Sequence, residues 1–231
     1  MRSPSRLPSR RPKRRRRPRL SPANRQPTSP PIPTPERVPF IGLTGGIGAG
    51  KSTALELLAE LDCSILSADA VVHEVQARAE VVEAIVGRFA ESVAPGGKVD
   101  RAALARVAFS EPSGREWLET LIWPLVGKRI AEWRTEQEAV QPRPRAAVVE
   151  VPLLFESGMD SVFDSTIAVT VDEAVREQRA RSRGHEAVDE RTARQLSQDQ
   201  KAARATVRVA NDGTRDALRD ALSSALGTIG V

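Results

Sequence analysis

The chain is expected to fold as a three-layer α/β/α domain with a parallel central sheet. Three observations carry that expectation. Short apolar, β-branched runs alternate with longer segments of helical periodicity. A glycine-rich loop, Gly45 to Ser52, joins the first apolar run to a helix. Two helical stretches, about 70–140 and 176–205, are too long for simple crossovers, so they read as excursions from the sheet, where substrate selection and lid closure reside.

The elements follow in order. Val38-Pro-Phe-Ile-Gly-Leu-Thr44 reads as a buried strand. Thr53 to Leu61 spaces Leu55, Leu57, Leu58 and Leu61 as a helix does. Cys63 to Ser67 reads as a second short strand. A helical region then begins at Ala70 and runs to about Gln137, interrupted at Pro95-Gly-Gly97 and Pro112-Ser-Gly114. Gln141 to Pro144 is a loop. Ala146 to Val151 is apolar on both faces, as a buried parallel strand requires, and Pro152 ends it. Thr166 to Val171 is another strand. Asp172–Ser182 and Val188–Ala205 read as polar, arginine-rich helices, Val207–Val209 as a last strand and Thr214–Leu226 as a last helix.

Composition excludes several classes. Hydrophobic residues make up 40% and charged residues 28% of 231, enough for an ordinary core without staples. The single Cys63 rules out a disulfide framework or a zinc cluster, and two histidines argue against a histidine metal site. No apolar run is long enough to cross a membrane, and no apolar stretch follows the basic N-terminus as a secretory signal requires. A cytoplasmic, reducing setting is expected. The net charge of +5 suggests a nucleic-acid binder, but its distribution does not. Residues 1–38 hold 12 basic residues, one acid and 10 of the 17 prolines, leaving 23 basic against 29 acidic residues in the body. The tail should be disordered and the body mildly acidic. Three readings of the tail stand: a solvated extension or over-extended start, nonspecific contact with polyanions, or a transit peptide that its prolines oppose. No specific nucleic-acid partner is expected.

Gly45-Gly-Ile-Gly-Ala-Gly-Lys-Ser52 matches the P-loop pattern in the right context, between strand and helix. Gly45, Gly46, Ile47, Gly48, Ala49 and Gly50 would wrap their N–H groups around phosphates. Lys51 would reach the β- and γ-phosphates, and the Ser52 hydroxyl would ligate Mg²⁺, with Thr53 following. The motif implies a nucleoside triphosphate, with ATP preferred, and leaves the acceptor open. Asp69 follows the second strand on the P-loop side of the sheet, where a carboxylate can take a hydroxyl proton; capping the helix at Ala70 is an equal reading. Arg176, Arg179, Arg181 and Arg183 lie on one expected helix, either as phosphate ligands or as a solvated face.

Five stretches together resemble the dephospho-coenzyme A kinase family, a family of P-loop kinases. They are Ile41 to Thr53; Ser67-Ala-Asp69 with His73-Glu-Val75; Asp100-Arg-Ala-Ala-Leu104 with Trp123-Pro-Leu-Val126; Val151-Pro-Leu-Leu-Phe-Glu156; and Arg179, Arg183, Arg191 and Gln195 with Asn211-Asp-Gly213. The resemblance covers about residues 38–226 and not the tail. It implies a kinase domain over 39–231, an acceptor-binding helical part and an arginine-rich lid, with ATP, Mg²⁺ and dephospho-coenzyme A as cofactors and substrates. It implies Asp69 as base for the ribose 3′-hydroxyl. It gives Arg101 and Glu156 to the acceptor, Arg183 and then Arg179 to the lid, and Asn211 to the adenine.

The chain also departs from the family. Ser67 replaces an aspartate, so shared work falls on Asp69. Trp123 stands where the family has histidine and offers a stacking surface. Glu150 stands where many members have aspartate; an end-of-strand carboxylate is the preferred reading over a water-mediated Mg²⁺ contact. The expected reaction is transfer of the ATP γ-phosphoryl to dephospho-coenzyme A. The alternatives are a kinase for another small hydroxyl acceptor, such as a nucleoside or nucleotide, and a nucleotide switch that contacts nucleic acid through its tail.

Overall fold

The computed structural model describes residues 37–110, 112–175 and 195–231. The expectations for residues 1–36 and 176–194 fall outside these. Five parallel strands form one sheet in the order β2-β3-β1-β4-β5. They are β1 (Phe40–Gly45), β2 (Ser64–Ser67), β3 (Ala147–Glu150), β4 (Ser165–Thr170) and β5 (Val207–Ala210). The helices are α1 (Lys51–Glu60), α2 (Ala68–Gln76), α3 (Ala79–Phe89), α4 (Arg101–Ala108), α5 (Pro112–Glu138), α6 (Gln198–Arg204) and α7 (Arg215–Ile229).

Side-chain alternation along the strands builds a core on each face. Phe40, Ala147 and Val149 enter one core with Val71 and Val75 of α2 and Val126 and Ile130 of α5. Ile41, Leu43, Val148, Ile167 and Val169 enter the other with Leu57 and Leu58 of α1 and Leu218 and Leu222 of α7. The period of two in the strands and the spacing in the helices thus yield three layers. Leu57 and Leu58 are fully buried, each worth about 2 kcal/mol of apolar burial.

Strand β1 is central and its start is tied down on all sides. Phe40 stacks on Phe163 with ring centroids 4.6 Å apart, and the Arg134 guanidinium lies 4.6 Å from the Phe40 ring. Asp164 accepts the Phe40 N–H at 2.9 Å and pairs with Arg134 at 3.0 Å.

Several boundaries differ from the sequence reading. Helix α2 starts at Ala68 with Ser67 as its N-cap, so Asp69 lies in the first turn and is not the cap. The break at Pro95 appears as short 3₁₀ turns at Glu91–Val93 and Pro95–Gly97. Pro112 opens α5, where the first-turn N–H has no intrahelical partner, so the expected interruption is a helix start. The helix expected over 188–205 is not continuous. Residues 195–197 are not helical, and Ser197 caps α6 through a reciprocal bond with Gln200, so α6 starts at Gln198.

Cys63 precedes β2, 7% exposed, and burial pushes its thiol up to about 11. It should therefore resist alkylation in the native protein at pH 8 and react on denaturation. Mass spectrometry after a short iodoacetamide pulse checks this, and full native labelling would refute the burial.

Candidate active site

The carboxyl ends of the strands form one edge, and β1 sits where the chain reverses its direction of travel across the sheet. Ligands of open α/β sheets bind at such a point. Here β1 runs into the loop Gly46 to Gly50 and then into α1. Gly48 and Gly50 have φ of 79° and 88°, a left-handed backbone that a side chain disfavours. A Cβ at Gly50 would also collide with the Asn211 amide, and one at Gly45 with the Val169 carbonyl. The first turn of α1 carries no acidic residue, so its positive end is not neutralised. Ser52 is exposed in that turn.

Asn211, which follows β5, is buried and donates its Nδ2 to the Ala49 carbonyl at 2.8 Å. The structure thus makes Asn211 a brace of the loop. The bond uses only Nδ2, so the adenine contact implied by resemblance would fall to Oδ1.

Lys51 donates from Nζ to the Gly46 carbonyl at 3.2 Å, folding back over the loop. Burial holds its pKa below the ordinary lysine value. Glu150 opposes that shift, the Lys201 ammonium adds to it, and Asp69 opposes it. Glu150 ends β3, beside Ser67 of β2 and Leu43 of β1 in register. Burial raises its pKa, the Lys51 ammonium counters, Asp69 raises it, and the Ser67 hydroxyl, donating to it, lowers it. Asp69 is exposed in the first turn of α2. Lys51, Asp69 and Glu150 are therefore one electrostatic group at the mouth of the loop. Glu150 is a strand-end carboxylate, as the preferred sequence reading has it, and its charge also acts on the P-loop lysine.

Glu156 lies at the same end of the sheet, in the turn after β3. Its Oε1 accepts the Leu196 N–H at 2.8 Å and pairs with Lys201 Nζ at 3.0 Å. Lys201, in α6, is fully buried and also donates to the Pro152 carbonyl, which accepts the Thr44 hydroxyl at 3.3 Å. Gln198 bonds both backbone groups of Val171, at 2.9 and 2.8 Å, and packs against Gly46. Sequence reasoning missed Lys201 and Gln198. Both stand in a polar segment that reads as solvent-facing, and no motif marks them.

Other expected residues lie elsewhere. Arg101 is exposed in the first turn of α4, and among the described residues no hydrogen bond or ion pair joins it to the cluster. Trp123 lines an apolar groove of about 440 Å³ along α5 with Phe40, Ile130, Met159 and Val162. Phe40 begins β1, so the groove's floor lies at the far end of that strand from the P-loop. Arg179 and Arg183 fall outside the described residues. Also among the described residues, no helix is long and apolar enough to cross a membrane.

A P-loop opening from the central strand of a parallel sheet places the chain among the P-loop nucleotide-binding proteins. The sequence model described as dephospho-CoA kinase matches residues 39–217, and the chain belongs to the dephospho-CoA kinase family. It is 40% identical over 183 residues to a dephospho-CoA kinase of Symbiobacterium thermophilum, covering 77% of this chain and 75% of that one. It is 37% identical over 201 residues to one of Deinococcus radiodurans, covering 86% and 96%. A crystal structure of a Thermus thermophilus protein superposes with a TM-score of 0.69 at 31% identity, covering 83% of this chain and 98% of that one. A dephospho-CoA kinase structure from Campylobacter jejuni shares the fold, with a TM-score of 0.58 at 22% identity, covering 82% and 96%. Binding of ATP follows from the P-loop kinase class.

Asn211→Ala should destabilise the protein by about 1–3 kcal/mol, because the Ala49 carbonyl loses its buried donor. It should also shrink the rise in Tm that ATP produces. Thermal unfolding with and without ATP checks both, and an unchanged Tm would remove the bracing role.

Proposed function

We propose that this chain transfers the γ-phosphoryl group of ATP to the 3′-hydroxyl of dephospho-CoA, giving CoA and ADP. The observation that carries the reading is the P-loop with Lys51 at the end of the central strand, with Glu150 ending the neighbouring strand and Asp69 following β2, in a chain of the dephospho-CoA kinase family. The loop N–H groups and the start of α1 would hold the triphosphate, with Lys51 on its β- and γ-oxygens. Asp69, exposed to the crevice, would accept the proton as the ribose oxygen bonds to phosphorus and the bond to the ADP oxygen breaks. Catalysis then rests on alignment and on offsetting charge.

The donors present suit Mg²⁺, which keeps several waters and takes one or two protein oxygens along with phosphates. Ser52 would supply a hydroxyl, and Glu150 a carboxylate acting directly or through water. The ion would offset charge building on the transferring group. Arg101 is retained as an acceptor contact, Glu156 likewise, and Arg179 and Arg183 as lid cations; the resemblance alone supports Arg101 and the two lid arginines. A cytoplasmic setting, and a tail of residues 1–38 without a catalytic part, belong to the same proposal. The family match begins at residue 39, which supports the tail's separateness. Family membership does not favour another small acceptor or a nucleotide switch.

Residues 38–231, given ATP, Mg²⁺ and dephospho-CoA, should yield a product heavier by one phosphoryl group at the 3′ position, read by mass spectrometry. Asp69→Asn should lower turnover at least about a hundredfold, the scale of general-base catalysis, with ATP binding little changed. Turnover near wild type in that variant would overturn the base assignment.

Removing Glu150 should shift a pH limb. The carboxylate raises the Lys51 pKa, so Glu150→Gln lets Lys51 lose its proton at lower pH. The alkaline fall in kcat/KM for ATP, which reports the free enzyme, should therefore move to lower pH. A limb that stays put or moves upward would break the coupling.

A further inference from the structure

We propose that Lys201 is a positioning residue for the phosphoryl acceptor: with the Leu196 N–H it holds one oxygen of Glu156, so that the other is left for a hydrogen-bond donor of the acceptor. This rests on the functional reading above and deepens it.

The geometry is specific. Lys201 is 0% exposed in its side chain and Glu156 14%. Taking an ammonium and a carboxylate out of water costs several kcal/mol each, so a plain apolar packing would hold α6 to the sheet at least as well. Lys201 Nζ donates to two groups, the Pro152 carbonyl and Glu156 Oε1, both in the turn that follows Glu150. Glu156 Oε1 takes a second donor, the Leu196 N–H at 2.8 Å, at the entry to α6. Both donors fall on the same oxygen. Glu156 Oε2 is shut off from solvent and, among the described residues, has no hydrogen-bond partner. A buried carboxylate oxygen without a donor is costly, and a ligand that brings one recovers that cost.

The missing donor belongs to the acceptor on grounds of charge and place. The Pro152 carbonyl that accepts Lys201 Nζ also accepts the Thr44 hydroxyl, next to the P-loop, and Gln198 of the same helix packs on Gly46, so the pair lies beside the phosphate-binding loop. A bare carboxylate oxygen repels a triphosphate, whereas a ribose hydroxyl or an amide N–H fits it. The acceptor in the proposed reaction carries both kinds of group. Lys201 itself need not touch the acceptor; it keeps Glu156 turned.

Steady-state kinetics on the full chain test this, with dephospho-CoA and ATP varied in turn. Wild-type turnover comes first: no product overturns the functional reading and takes this inference with it. Given product, Glu156→Gln and Lys201→Met should each raise the KM for dephospho-CoA about tenfold, the worth of one hydrogen bond to a charged group. The KM for ATP should stay within about twofold. The double variant should regain thermal stability, since no charge is left unpaired, yet keep the raised acceptor KM. If the double variant restores the acceptor KM along with stability, the pair is only a brace and the inference fails. An unchanged acceptor KM in the single variants also overturns it. Should Lys201→Met fail to fold, the near-isosteric Glu156→Gln decides alone by the same criterion.

Discussion

At Gly50 the backbone turns left-handed with its Cα pressed toward the Asn211 amide, and the phosphate-binding loop exists because no side chain stands there. The loop is not self-supporting. Asn211 holds the Ala49 carbonyl from a position 162 residues further along the chain. Gln198 packs on Gly46 and is itself fixed to the end of β4. The cradle therefore depends on an assembled sheet, with β4 beside β1 and β5 beside β4. Anything that loosens that half of the sheet loosens the site.

Charge at the carboxyl edge follows from the same assembly. Two ammonium groups, Lys51 and Lys201, and three carboxylates, Asp69, Glu150 and Glu156, come from five separate segments. Burial alone would drive Lys51 toward its neutral form, and Glu150 and Asp69 oppose it. Burial likewise favours a neutral Glu150, and Lys51 opposes that. Each charge is tolerated because the other is near. The Lys201–Glu156 pair extends this group behind the turn that follows β3.

Much of the fold was legible because strand and helix periods differ. All five strands were expected near their observed positions, and the shifts are of one or two residues, where hydrogen-bond partners decide the ends. The error at α2 mattered more. Asp69 can cap a helix, so composition alone could not separate capping from chemistry; the structure gives the cap position to Ser67 and leaves Asp69 exposed in the first turn of α2. Arg101 was given to the acceptor by the resemblance, and Trp123 was noted as a departure from it. The structure puts Trp123 in a groove lined by the start of β1 and Arg101 on the surface of α4. Lys201 left no trace in the sequence, because a buried lysine in a polar helix has the same local pattern as an exposed one.

By itself the sequence determined the alternation of strands and helices, the glycines that permit the phosphate loop, the lysine and serine that follow it, and the family to which these residues belong. Those features are local: they depend on side-chain period, backbone freedom and spacing along the chain. Only the tertiary structure decided that Asn211 braces the loop, that Glu150 faces Lys51, and that Lys201 is buried against Glu156. Those relations join residues tens to more than a hundred positions apart, and their energies come from burial and Coulomb terms that vanish when the strands are not side by side.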